Sequence, residues 1–162
     1  MQDCDCTVET KSVVSEPIAL FVDGASRGNP GHAGAGVVIM KGSETLYADG
    51  FYLGRCTNNE AEYWALLLGL QKIFDLQLQE HAIVVFSDSQ LLVRQITGEY
   101  RVKSSGLKKF FERSQQMLSQ LSYSLKHVMR ECNIQADAMA NQGIDRLNPI
   151  PHATLEQLRI AS

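Results

Sequence analysis

The chain has 162 residues, of which 44% are hydrophobic and 20% charged, and a formal net charge of −3. That length and apolar content suit one domain with a substantial core and exclude a disordered chain, and no apolar run approaches the ~20 residues that span a bilayer. The acidic balance, 15 Lys+Arg against 18 Asp+Glu, argues against a protein that coats polyanions with its whole surface but leaves room for a local basic patch.

Residues 1–16 read as a flexible leader that closes on Glu16-Pro17, and the acidic start lacks the basic and apolar segments of a secretory signal. Ile18-Ala19-Leu20-Phe21-Val22 is a continuous apolar run that stops at Asp23-Gly24, the pattern of a strand buried on both faces. A turn follows at Arg27-Gly28-Asn29-Pro30-Gly31, then strands at 35–40 and 45–53 joined by a Lys41-Gly42-Ser43 hairpin. Thr57-Asn58-Asn59-Glu60 is a capping box that opens a long helix running through Trp64, Leu68 and Ile73. A second buried strand, 82–87, also ends on an aspartate, Asp88. Helices are predicted at 90–96 and 107–121, a last strand at 123–129, and a final helix capped by Asn133 and reaching Leu147. Pro149 and Pro151 close a domain of residues 17–147, and the tail 148–162 forms one amphipathic turn or stays loose. Cys4, Cys6, Cys56 and Cys132 contain no CxxC pair and fit reduced thiols in a cytoplasm.

Strands followed by alternating helices and strands predict an α/β domain, a mixed sheet with helices on both faces. A right-handed crossover through the first helix sets the fourth strand parallel beside the first, which brings Asp23 and Asp88 together. The carboxyl end of a buried strand is where open α/β sheets place ligand chemistry, although either aspartate also suits a turn or a helix N-cap. On the first helix Glu62 shares a face with Ala65, Leu66, Gly69, Ile73 and Leu76, whereas Glu60 lies on the solvated side with Gln71 and Asp75. A glutamate amid apolar residues needs a partner, and no lysine or arginine stands at i+3 or i+4 to supply one. On the last helix Asp137 shares a face with Ile134, Ala140, Asn141 and Ile144, with Ala136 and Ala140 small enough to let the backbone approach the sheet. Its alternative is a surface aspartate that favours the helix dipole. Four carboxylates from four elements form a hard oxygen site that selects Mg²⁺ or Mn²⁺ over zinc. Two such ions about 4 Å apart would support in-line phosphoryl transfer to water.

The segments Asp23-Gly24-Ala25-Ser26-Arg27-Gly28-Asn29-Pro30-Gly31, Thr57-Asn58-Asn59-Glu60-Ala61-Glu62, Ser87-Asp88-Ser89-Gln90 and Asn133-Ile134-Gln135-Ala136-Asp137 resemble, in order, those of the type 1 ribonuclease H family. The resemblance covers about residues 17–145. It implies a ribonuclease H-like five-stranded mixed sheet and hydrolysis of the RNA strand of RNA–DNA hybrids by a monomeric enzyme. It places two Mg²⁺ ions, replaceable by Mn²⁺, on Asp23, Glu62, Asp88 and Asp137. By the same matching Gly24, Asn29, Asn58, Asn59 and Gln90 are substrate-contacting residues, suited to the minor groove and 2′-OH groups; the asparagines also fit turn and cap duty.

Two departures stand out. The stretch His127-Val128-Met129-Arg130-Glu131-Cys132-Asn133 is short where many members carry a longer, histidine-bearing loop. His127 therefore reads as structural within the last strand, and Arg130, as in shorter-loop, archaeal-like members, is a candidate contact for phosphate or for the active-site water. The basic handle helix of some members is missing, and Trp64 reads as core. In its place residues 94–109 hold five basic residues against Glu99 alone, so Arg101 and Lys103 are candidate contacts for the DNA-strand phosphates, or part of a solvated face. Other readings are a ribonuclease H-like module that binds without cutting and a related nuclease acting on double-stranded RNA. Ala25 speaks against an aspartate-nucleophile phosphatase.

Overall fold

The apolar run at Ile18–Val22 does form a strand, but the strand does not stop at Asp23-Gly24. In a computed structural model, which describes residues 16–160, β1 runs Ile18–Gly28 and β2 Gly31–Lys41. Their antiparallel pairing continues from Ile18↔Lys41 to Gly28↔Gly31, and this unbroken ladder carries β1 past the aspartate. Asp23 therefore lies inside a strand. It still marks an end, because the parallel pairing of β1 with β4 (Ala82–Ser87) finishes at Val22↔Ser87, so that Asp23 and Asp88, the latter just beyond β4, are the next residues after that pair. The predicted leader, with Cys4 and Cys6, lies outside the described residues except for Glu16.

β3 (Glu44–Cys56) pairs antiparallel with β2, and β5 (Ser122–His127) pairs parallel with β4, which gives the order β3-β2-β1-β4-β5. The helices are α1 (Asn58–Asp75), α2 (Gln90–Ile96), α3 (Ser105–Leu118), α4 (Ile134–Arg146) and α5 (His152–Leu158). The mixed sheet and the parallel placement of β4 beside β1 follow the expectation from the order of elements.

Side chains alternate between the two faces of a strand. Leu20, Val22 and Gly24 of β1 meet α1, and Gly36 of β2, which pairs with Asp23, meets α4. Ile18, Leu20, Val22, Ile83 and Val85 form the core with Leu66, Leu70 and Ile73 of α1, and α3 closes it through Leu107, Phe110 and Met117. The second face is covered less completely, because α4 packs mainly on β2 and β3. Phe21 and Phe86 stack there at 4.8 Å between ring centroids and stay half-buried, so β1 is not sealed on both faces as its sequence suggests. Trp64 is likewise half-buried, edge-on to Phe110.

The C-terminal segment returns across the domain. Asn148 O accepts from Tyr52 N at 2.6 Å, Pro149 bridges Tyr52, and Leu158 is fully buried. Arg113 of α3 fastens α5 by donating from Nε to Leu158 O at 2.8 Å and from Nη2 to Gln157 O at 3.1 Å. Gln71, expected on the solvated stripe of α1, is buried instead because α5 lies beside it, with Ala153 and Thr154 lining the adjacent clefts. Leu76, expected on the Glu62 face, caps the helix and is exposed.

The approach of α4 to β2 leaves no room at Gly36, where an added Cβ would run into the Ala136 carbonyl. Gly36→Ala should lower stability by roughly 1–3 kcal/mol through forced separation of helix and sheet. Chemical denaturation measures this, and an unchanged midpoint would contradict the close contact.

Candidate active site

Each acidic side chain is positioned by local features of its own element. Asp23 sits on β1, only 4% exposed, because β2 and α4 cover it. The capping box forms as expected, Glu60 N donating to Thr57 Oγ1 at 3.2 Å and Thr57 N to Glu60 Oε1 at 2.8 Å, which starts α1 in the register that turns Glu62 toward β1. One oxygen of Glu62 is then held by the backbone, Gly24 N donating to Oε1 at 3.0 Å. Gly24 is required here, since a Cβ would collide with the Ala61 backbone. Asp88 is not consumed as a helix cap. Ser89 takes that role, its hydroxyl accepting from Leu92 N at 3.1 Å, and the buried Ser87 hydroxyl shapes the turn by accepting from Ser89 N at 3.0 Å.

These elements gather Asp23, Glu62 and Asp88 so that one oxygen from each lies within 4.8 Å of the others. Asp137, in the first turn of α4, stands outside that set but close enough to raise the Asp23 carboxyl. Burial, then the charges of Glu62 and Asp88 and the contact with Asp137, push Asp23 up to about 10. Glu62 is pushed up to about 8 by burial and by Asp88, against the opposing pull of the Gly24 N–H and of the Arg130 charge. Four oxygen donors with repelling charges and no lysine among them are matched to a small divalent cation.

The remaining candidates separate into groups. Asn29 and Asn58 are brought together by a hydrogen bond from Asn58 N to Asn29 Oδ1 at 3.1 Å, which ties the β1–β2 turn to the start of α1. Asn59 beside them, and Gln90 at the start of α2, are exposed. Gly24 serves Glu62. Arg130 lies in a 3-10 turn, Arg130–Cys132, close enough to influence Glu62. His127 is the last residue of β5 and exposed. Arg101 and Lys103 are exposed in the connection between α2 and α3. Nearby, Tyr100, Arg101, Val102, Lys108 and Phe111 line a groove of about 580 Å³, and Arg94 is tied to Glu99 and Tyr100.

Asn133 was expected as the cap of the last helix. It holds that position, but its side chain makes no cap hydrogen bond; Nδ2 donates instead to Val22 O at 2.9 Å, immediately before Asp23. It thereby pins the start of α4 to the strand that carries the first acid. No local signal separates this use from capping, because the partner lies more than a hundred residues away.

Known proteins share this fold and sequence pattern. A family model described as Reverse transcriptase-like matches residues 21–143. A ribonuclease HI of Halobacterium salinarum is 39% identical over 127 residues, covering 77% of this chain and 63% of that protein. A bifunctional protein of Mycobacterium tuberculosis is 37% identical over 131 residues but only 35% of its length is matched. The chain thus spans less than two thirds of the length of these curated relatives. Among solved structures, RNase H1 of the archaeon Halobacterium salinarum superposes with a TM-score of 0.76 at 36% identity, over 80% of this chain and 98% of that one. LC11-RNase H1, isolated from compost and solved in complex with an RNA/DNA hybrid, gives 0.75 at 36% identity, over 80% and 97% of the two chains.

The raised carboxyls fix the sign of a pH effect. Asp23 and Glu62, ordinarily near 3.8 and 4.5, hold protons in the folded chain that the unfolded chain releases, so their contribution is present below those values and is lost as pH rises through about 8 and 10. In chelator, Asp23→Asn should therefore melt higher than the unaltered protein, by a margin that grows from pH 5 to pH 9. A margin that stays constant or shrinks would refute the clustering.

Proposed function

The chain belongs to the type 1 ribonuclease H family, and from that premise we propose that it is a metal-dependent endoribonuclease that hydrolyses the RNA strand of RNA–DNA hybrids. The observation that carries this reading is the gathering of Asp23, Glu62 and Asp88 within 4.8 Å. The hybrid-bound state of the compost-derived relative supports the hybrid as substrate.

The donor set suits Mg²⁺, with Mn²⁺ able to substitute; Asp23, Glu62, Asp88 and Asp137 would hold it, as two ions when substrate is bound. When bound, the metal supplies Lewis-acid stabilisation of phosphoryl charge and lowers the pKa of water. The chain's own residues do the rest. The Gly24 N–H keeps one Glu62 oxygen turned toward β1. Arg130 offers positive charge beside Glu62, where it suits a scissile phosphate. The Asn29–Asn58 bond fixes the turn against the helix, which presents Asn58 and Asn59 to the minor groove and the 2′-OH groups that distinguish RNA from DNA. Gln90 extends that surface from α2.

Arg101 and Lys103 follow α2, the helix that begins two residues after Asp88. Their exposure fits contact with DNA-strand phosphates. Among the described residues no helix is long and apolar enough to cross a membrane. Cys56 and Cys132 are free thiols; a cytoplasmic monomer is the state we propose. The short connection between β5 and α4 leaves double-stranded RNA as a second substrate to be assayed beside the hybrid.

With Mg²⁺ or Mn²⁺ the protein should cut the RNA strand of a labelled hybrid, and Asp88→Asn should lower the rate about a thousandfold, several kcal/mol of lost transition-state stabilisation, without unfolding the chain. Hybrid affinity without turnover would point to a binding module, and inactivity of well-folded protein with both metals would end the enzyme reading. Replacing Arg101 and Lys103 together by alanine should weaken hybrid binding uniformly across sequences and reduce the log–log salt slope by roughly 2. An unchanged slope would remove the basic strip from the interface.

A further inference from the structure

Behind Asp137 runs a line of polar contacts that joins the two elements bearing Asp23 and Asp137. Asn141, one turn along α4, donates from Nδ2 to Asp137 O at 3.0 Å and to Asp137 Oδ1 at 3.5 Å. Its own Oδ1 accepts from Arg27 Nη2 at 3.1 Å, and its carbonyl from the same nitrogen at 3.4 Å. The other arm of the guanidinium, Nη1, pairs with Asp145 Oδ1 at 2.8 Å. Asp137, Asn141 and Asp145 are spaced by four, so they form one stripe on α4. Arg27 follows Asp23 by four residues on β1, so both side chains leave the same face of the strand.

We propose that Arg27 and Asn141 are positioning residues that orient the Asp137 carboxylate for divalent-cation binding; this rests on the reading of Asp137 as a metal ligand. The logic lies in donor and acceptor types. An asparagine amide has one donor end and one acceptor end, and a flip would turn Oδ1 toward the Asp137 oxygens. Arginine has donors only, so Arg27 accepts one orientation alone, with Oδ1 toward itself and Nδ2 toward Asp137. Asp145 in turn holds the guanidinium in place. The need is specific to Asp137. Glu62 is held by the Gly24 N–H and Asp23 is enclosed on β1, whereas Asp137 is half-exposed and lies outside the three-acid set. Because Arg27 stands on the strand of Asp23, the same contacts also fix the spacing between Asp23 and Asp137.

The competing explanation is a brace, in which Arg27 merely fastens α4 to β1. Titration of the full chain with Mn²⁺, followed by the EPR signal of the free ion, separates the two. Arg27→Gln and Asn141→Leu should each weaken Mn²⁺ binding about tenfold, the range found for residues that orient metal ligands, and the double variant should be no weaker than either single. Arg27→Lys, which keeps the charge but not the fork, should recover only part of the loss. Arg113→Ala serves as the control, because it loosens α5 and lowers the melting temperature at a distance from the acids. The proposal is overturned if the singles bind Mn²⁺ within twofold of the unaltered protein, if their losses add, or if Arg113→Ala weakens Mn²⁺ equally. No substrate enters the titration, so failure of the unaltered protein to cut hybrid would count against the functional reading alone.

Discussion

Like charges held together in a poorly hydrated place are the constraint on which the rest of this structure depends. At 4.8 Å, two full carboxylate charges repel by roughly 3 kcal/mol even at an effective dielectric near 20. Asp23, Glu62 and Asp88 have no lysine between them, and the result is the upward displacement of Asp23 and Glu62. Such a cluster persists only if the backbone that carries it is fixed by forces elsewhere. Here those are the apolar core between the sheet and α1 and the unbroken β1–β2 ladder.

The geometry follows from how closely the helices approach the sheet. Gly24 allows α1 to lie against β1, and its exposed N–H then becomes the partner of Glu62. Gly36 allows α4 to lie against β2 directly opposite Asp23. Asn133 adds a directional bond to Val22 O, so the start of α4 cannot slide along the strand. Small residues set the distances, and a few hydrogen bonds set the register.

Much of this was legible in the chain because it is encoded locally. The apolar runs before Asp23 and Asp88, the capping box at Thr57–Glu60 and the position of Glu62 on the apolar arc each depend on neighbours within one or two turns. The crossover that sets β4 beside β1 was also foreseen, from the order of elements; what escaped were particular contacts whose partners are distant in sequence. β1 runs through Asp23 because β2 pairs there; Gln71 is buried because α5 returns beside it; Asn133 reaches back to Val22 rather than capping its helix. The ends of helices and strands shifted by a few residues for the same reason, since pairing and packing decide where an element stops.

The sequence by itself determined which acids are candidates, which element and face each occupies, and that oxygen ligands suited to a hard cation are at hand. Periodicity and capping are local, and they survive without a tertiary structure. Only the fold decided that Asp23, Glu62 and Asp88 form the tight set with Asp137 outside it, and that Arg27 and Asn141 stand behind Asp137. Those relations depend on strand order and on how α4 crosses the sheet. No window of sequence contains both ends of such a contact, so packing alone could establish it.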